Sequence, residues 1–237
     1  MPSLSQTALA LTLLVSYLGT YLASIPPHPN PSHDSSYTAG HDSLRSWIIA
    51  ENHGTKIFLI PLGFFTLHAA LLAYHYPSMP PWLLRNGLAN GINTDLFTWS
   101  RHTVIPLALN LCVGVPLRLA SYSALGKNFT FGLARPDRLT TTGIYRWVQH
   151  PSYTALVFLI PANVALLGRL NGIWACWAAP GVLRVLRRDS VPPLALAITL
   201  WIFWTRVKEE EQMLKDQFGV VWEEWHLRTA RFVPGIF

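Results

Sequence analysis

The chain has 237 residues, of which 51% are hydrophobic and only 13% charged, with a formal net charge of +6. Soluble domains carry about a quarter charged residues, so this composition excludes an ordinary water-soluble globule and requires a surface other than water for the apolar surplus to face. Nor does the positive balance point to nucleic acid, because the Lys and Arg residues sit in short loops between apolar segments and form no contiguous stripe; such loop charges fit the orientation bias of membrane proteins.

No Lys, Arg, Asp or Glu occurs from Met1 to His33, between Lys56 and Arg85, between Arg101 and Arg118, from Trp147 to Gly168, or from Ser190 to Thr205. A membrane-crossing helix needs roughly 20 apolar residues, and the two shorter gaps are extended by Arg118 and Arg206, whose long stems snorkel to the interface. The first predicted element is a helix over about 4 to 25, read as a retained transmembrane helix because no basic residues precede it as they would in a leader. Pro26, Pro27, Pro29 and Pro31 open a polar linker, and a second helix follows over about 55 to 76. After a loop containing Pro77, Pro80 and Pro81, a third helix is expected over about 100 to 121. Trp82, Trp99, Trp147, Trp201 and Trp204 fall near predicted helix ends, where membrane proteins place an aromatic belt. Cys112 and Cys176 lie inside apolar stretches without partners at framework or ligand spacing, which predicts neither a disulfide scaffold nor a metal site.

The loop from Ser121 to His150 carries Lys127, Arg135, Arg138 and Arg146 against the single Asp137, and is expected on the cytosolic side. Helices are predicted over about 152 to 168 and about 193 to 206, the latter turning amphipathic beyond its end. Between them, Ile173 to Leu186 is apolar but short, interrupted by Pro180 and Gly181 and followed by Arg187 and Arg188, with Arg184 inside it. If the loop before His150 and the tail after Arg206 build one site, an even number of crossings separates them. Residues 171–189 are therefore expected to lie at the far interface or to re-enter. The resulting fold class is an all-α integral membrane protein with about five transmembrane helices and a re-entrant or interfacial segment.

Two polar clusters carry chemistry, and each also has a plain structural reading. In LTTTGIYRWVQHPSY, Leu139 to Tyr153, Gly143 permits a turn and Pro151 suits the first position of a helix, with Ser or His as a cap. In RVKEEEQMLKDQFG, Arg206 to Gly219, Arg206 and Glu210 share a helical face, where a guanidinium–carboxylate pair is natural. A solvated helix end stopped by Gly219 accounts for the same residues. At the point where a membrane helix leaves the bilayer, however, an ionisable pair marks a functional site.

Taken together, the clusters resemble the isoprenylcysteine carboxyl methyltransferase family in order, spacing and chemistry. The matching residues are Leu139 and Thr140, Gly143 and Tyr145, His150, Pro151 and Tyr153, Arg206, Glu210, Glu211 and Leu214, Phe218, Gly219 and Pro234. Arg118, Leu125, Gly126, Asn128, Phe129 and Thr130 resemble the family's lead-in. Departures are Gln149 in place of arginine, Ala155 in place of glycine, Trp222 and Trp225 in place of tyrosines, and the extra segment 171–189. The resemblance divides the chain into N-terminal transmembrane helices, 1–117, and a methyltransferase catalytic region, 118–237, with a C-terminal helical hairpin and cytosolic cofactor-binding elements.

The resemblance implies S-adenosyl-L-methionine as cofactor, held by Arg138, Leu139, Thr140, Tyr145, His150, Pro151, Ser152, Tyr153 and Glu210. It implies methylation of the C-terminal carboxylate of prenylated cysteine, on prenylated protein C-termini or prenylcysteine, in a multi-pass endoplasmic reticulum protein whose active site faces the cytosol. A carboxylate is already ionised at neutral pH, so the reaction needs alignment and water exclusion more than a base. Arg206 would bind the acceptor carboxylate through two parallel hydrogen bonds, and with Glu210, which orients it, forms the expected catalytic pair. Membrane lipid would surround the prenyl chain, which enters laterally. Three alternatives stay open on sequence: a phospholipid or other small-lipid methyltransferase, a sterol-reductase-like enzyme, and a non-catalytic membrane scaffold.

Overall fold

A computed structural model describes residues 2–27, 52–179, 182–183, 186 and 191–235, with the backbone alone for 52–54 and 191–196. Most of the Pro- and Ser-rich linker, together with Pro180, Gly181, Arg184, Arg187 and Arg188, lies outside the described residues. Among the described residues the secondary structure is helical, with one isolated parallel bridge between Val148 and Ala230.

Helix α1 spans Leu4–Ser24 and α2 spans Asn52–His75. Next come α3, Arg101–Ala108, a π-helical stretch, Leu109–Gly114, and α4, Val115–Leu125. The second half holds α5, Pro151–Leu167, and the single-turn α6, Ile173–Trp177. It closes with the long α7, Val191–Phe218, and the short α8, Val220–Arg228. Among the described residues, three helical stretches are long and apolar enough to cross a membrane: Leu4–Ser24, Thr55–His75 and Arg101–Asn128. The expected count of about five added α5, which is shorter, and the apolar half of α7, whose second half is charged. All five tryptophans assigned to the interfacial belt are exposed.

The chain forms two compact units. The first comprises Met1–Leu22, Phe58–Val115 and Val157–Ala195. Its core gathers Leu9, Leu13, Leu72, Leu83, Phe97, Leu107 and Ile173. Small residues allow its helices to approach closely: a Cβ on Gly114 would lie 2.7 Å from Leu159 Cγ, and one on Gly63 would lie 2.5 Å from the Tyr17 hydroxyl. The π-helical stretch, which begins three residues after Pro106, turns the fully buried Asn110 inward to donate to Thr20 Oγ1 at 2.9 Å.

Within the same unit, α6 is far too short to cross a bilayer, at about 1.5 Å of rise per residue. Instead it is fastened to the 86–93 loop. Asn90 Nδ2 donates to the carbonyls of Ala175 and Ala178 at 2.8 and 3.0 Å, and Asn93 N donates to Asn171 O at 2.7 Å. The second unit, Ala23–Ile57, Pro116–Leu156 and Leu196–Phe237, contains both polar clusters.

Candidate active site

The site begins with a turn that only a residue tolerant of positive φ makes without strain: Gly143 sits at φ +61° and opens the helical turn Gly143–Arg146. This turn buries Tyr145, whose carbonyl accepts from Trp225 Nε1 at 3.2 Å. The next residues run beside the C-terminal segment, with Gln149 N donating to Ala230 O at 2.8 Å and His150 N to Arg231 O at 2.9 Å. Pro151 then starts α5, where a missing N–H costs nothing. The His150 carbonyl accepts from Tyr153 N at 3.1 Å and Thr154 N at 3.0 Å. His150 thus caps the helix through its backbone, which leaves its ring available for another task.

That ring is buried. Its Nε2 lies 3.2 Å from Glu211 Oε1, which also accepts from Arg231 Nε at 2.8 Å, while Glu211 Oε2 accepts from Arg231 Nη2 at 3.1 Å. Glu211 appeared in the sequence motif without an assigned role, and no sequence signal singled out Arg231. Gln149, at the position where arginine was expected, is a buried clasp. Its Nε2 donates to the carbonyls of Thr229 and of His226, the latter at 3.0 Å, and its Oε1 pairs with His226 Nδ1 at 2.8 Å. A neutral amide can donate and accept in this way, whereas a guanidinium only donates. Trp222 stacks on His226 at 4.5 Å.

On α7, Arg206 is buried, with Nη2 donating to Phe131 O at 2.6 Å and Nη1 at 3.7 Å from Glu209 Oε2. The Glu210 carboxylate lies beside the Tyr153 hydroxyl. Burial, with the Glu210 carboxylate nearby, also pushes the Tyr145 hydroxyl far above its ordinary pKa, so it stays protonated. Arg118 supports this group from α4. It donates to Ala23 O and the Tyr122 hydroxyl, each at 3.1 Å, to Ser152 O at 3.2 Å, and to Ser152 Oγ. Its guanidinium lies over the rings of Tyr122, Phe129 and Phe131.

Tyr145, His150, Tyr153, Arg206 and Glu210 therefore come together in one unit, in the charge environment described. Pro151 and Ser152 are buried beside them, with Ser152 committed to Arg118. Leu139 and Thr140 are half-buried, and Arg138 is exposed. Thr140 Oγ1 and His150 Nδ1 are buried without hydrogen-bond partners among the described residues. A nucleoside and amino-acid ligand carries the hydroxyls and amines that such orphaned atoms need, so the residues present fit an S-adenosyl group.

The C-terminal clasp makes a pH prediction. Burial alone raises the Glu211 carboxyl, but the hydrogen bonds from His150 and Arg231 outweigh it and hold the carboxyl below its ordinary 4.5. Burial likewise pushes His226 below its ordinary 6.5, against the pull of Glu211. A group with a depressed native pKa contributes stability above its unfolded value and loses it as pH falls through the native one. Residues 229–232 should therefore stay protected from amide exchange at neutral pH. After correction for the intrinsic rate, protection should weaken below 6.5 and fall further below 4.5. Protection that rises on acidification would contradict the clasp.

Comparison with known proteins bears on this site. Residues 105–184 match the model of the isoprenylcysteine carboxyl methyltransferase (ICMT) family. The matched stretch includes Arg118, Tyr145 and His150 to Tyr153 but ends before Arg206. The protein-S-isoprenylcysteine O-methyltransferase of Schizosaccharomyces pombe is 27% identical over 129 residues, 52% of this chain and 46% of that protein. Protein-S-isoprenylcysteine O-methyltransferase A of Arabidopsis thaliana is 27% identical over 129 residues, 52% of this chain and 55% of its own. The Dictyostelium discoideum protein-S-isoprenylcysteine O-methyltransferase is 25% identical over 135 residues, 54% of this chain and 48% of its own. The chain thus spans about half the length of the curated relatives it matches. No solved structure matches it significantly.

Proposed function

Starting from the match of residues 105–184 to the isoprenylcysteine carboxyl methyltransferase family model, we propose that this protein methylates the C-terminal carboxylate of prenylated cysteine, with S-adenosylmethionine as donor. The observation that carries the reading is the grouping of Arg206, Glu210 and Tyr153 with the buried His150 ring in one unit. When bound, S-adenosylmethionine supplies a methyl group on a positively charged sulfur, which becomes a neutral thioether as a carboxylate oxygen takes the methyl.

The chain's own residues do the rest. Arg206, anchored by Phe131 O, presents a planar fork that matches a carboxylate and holds one oxygen in line for attack. Its positive charge also offsets the cost of bringing an anion into a site lined by Tyr145, Tyr153 and Phe131. Glu210 faces the cofactor side through Tyr153, while Thr140 and His150 offer their orphaned atoms to ligand hydroxyls or amines. No side chain needs to remove a proton, because the acceptor arrives ionised.

Residues 151–167 and the apolar half of α7 add two crossings to the three long spans. The 3.2 Å approach of His150 to Glu211 supports this count, since it requires the two polar clusters to share a side. On the same reading that side is the cytosolic face of the endoplasmic reticulum membrane, and lipid surrounds the prenyl chain. The test is binding of radiolabelled S-adenosylmethionine to the purified chain, followed by transfer to N-acetyl-S-farnesylcysteine. Both are expected. Binding with transfer only to a phospholipid amine would replace the acceptor, and absence of binding would remove the methyltransferase reading altogether.

A further inference from the structure

Resting on that reading, we propose that Glu211 and Arg231 are positioning residues for cofactor binding. They hold the His150 ring so that its buried Nδ1 accepts a hydrogen bond from a donor group of the S-adenosyl ligand. An ionised carboxylate can only accept, so the 3.2 Å contact with Glu211 Oε1 assigns the ring hydrogen to Nε2. In the neutral imidazole the lone pair then belongs to Nδ1. The carboxylate cannot rotate to relax this assignment, because the Arg231 fork engages both of its oxygens. The ring is wedged as well, edge-on to Tyr153 at 5.7 Å and tilted against Phe232 at 5.9 Å.

The protein contains its own control. His68, also buried, uses both ring nitrogens within the fold: Nε2 meets Leu83 O at 2.8 Å and Nδ1 accepts from Trp177 Nε1 at 2.6 Å. His150 has the same burial, but its Nδ1 has no partner among the described residues. Buried ring nitrogens usually find a partner, so the open Nδ1 is a position that an external donor fills. Arg231 lies outside both the family match at 105–184 and the motif residues, so its assignment comes from its contacts with Glu211.

The experiment measures binding of S-adenosylhomocysteine and of four analogues, N6-dimethyl, 2′-deoxy, 3′-deoxy and des-amino, to the full chain. Wild type is compared with Glu211→Gln, Arg231→Gln and Arg231→Lys. One deletion should weaken binding to wild type roughly 10-fold, the scale of a single lost hydrogen bond. Glu211→Gln and Arg231→Gln should each weaken the parent ligand about 10-fold, after which the same deletion should cost less than about threefold. Arg231→Lys, which keeps the charge but loses the fork, should fall between. A merely structural role would lower affinity but leave every deletion penalty unchanged. That result in either glutamine variant, or a wild type indifferent to all four deletions, overturns the proposal while the methyltransferase reading stands. Failure of wild type to bind the parent ligand overturns both. If one glutamine variant does not fold, the other carries the comparison.

Discussion

Arg206→Lys should lower methyl transfer to the prenylcysteine acceptor about 100-fold or more, while cofactor affinity changes by less than about threefold. The side chain is buried, and one arm of its guanidinium is committed to Phe131 O. A planar fork can keep that bond and still offer two parallel N–H groups to a carboxylate, whereas an ammonium is a point charge that cannot do both. Charge-assisted hydrogen bonds contribute about 1.5–3 kcal/mol each, so loss of the bidentate grip costs roughly 3 kcal/mol in the transition state. The effect should appear in kcat/KM for the acceptor, with the cofactor titration as control. Full activity in the lysine variant would sink Arg206 as the carboxylate clamp. A parallel loss of cofactor affinity would move its role to the cofactor side.

Arg118→Met is expected to produce the largest loss of stability, about 3 kcal/mol or more, read as a lowered unfolding midpoint in detergent. Methionine keeps most of the apolar stem but leaves both Ser152 oxygens without the donor that now serves them, and Ala23 O with the Tyr122 hydroxyl alone. It also removes the cation over three aromatic rings. Since Arg118 lies in the span Arg101–Asn128, water is poorly placed to substitute. Ser152 begins the helix that carries Tyr153, so transfer activity should fall together with stability. An unchanged midpoint would mean that the buried guanidinium is not what ties α4 to the start of α5.

The sequence already made the membrane helices legible, because hydropathy and charge gaps act locally: α1, α2 and α5 begin and end within a few residues of their expected positions, and α7 begins where expected but continues past its apolar part to Phe218. It also identified the two polar clusters. It did not show the π-helical turn around Asn110, which donates to a buried partner, Thr20, ninety positions away in the chain. Nor did it show that residues 171–178 are fastened to the 86–93 loop. Those bonds run from Asn90 and Asn93 to backbone carbonyls, which carry no sequence pattern.

Within the site the division is equally physical. Composition and charge spacing by themselves indicated a greasy helical membrane protein, and the family resemblance implied that Arg206 and Glu210 share a site with the His-Pro turn. Only the tertiary structure decided how the adjacent glutamates divide their work. Neighbouring helical residues point about 100° apart, so Glu210 meets Tyr153 while Glu211 turns to His150. Arg231 joins Glu211 because the C-terminal segment returns beside Val148 to His150, where Gln149 clasps it through His226 and Thr229. Contacts between residues far apart in the chain depend on how the backbone folds back, which local spacing does not encode.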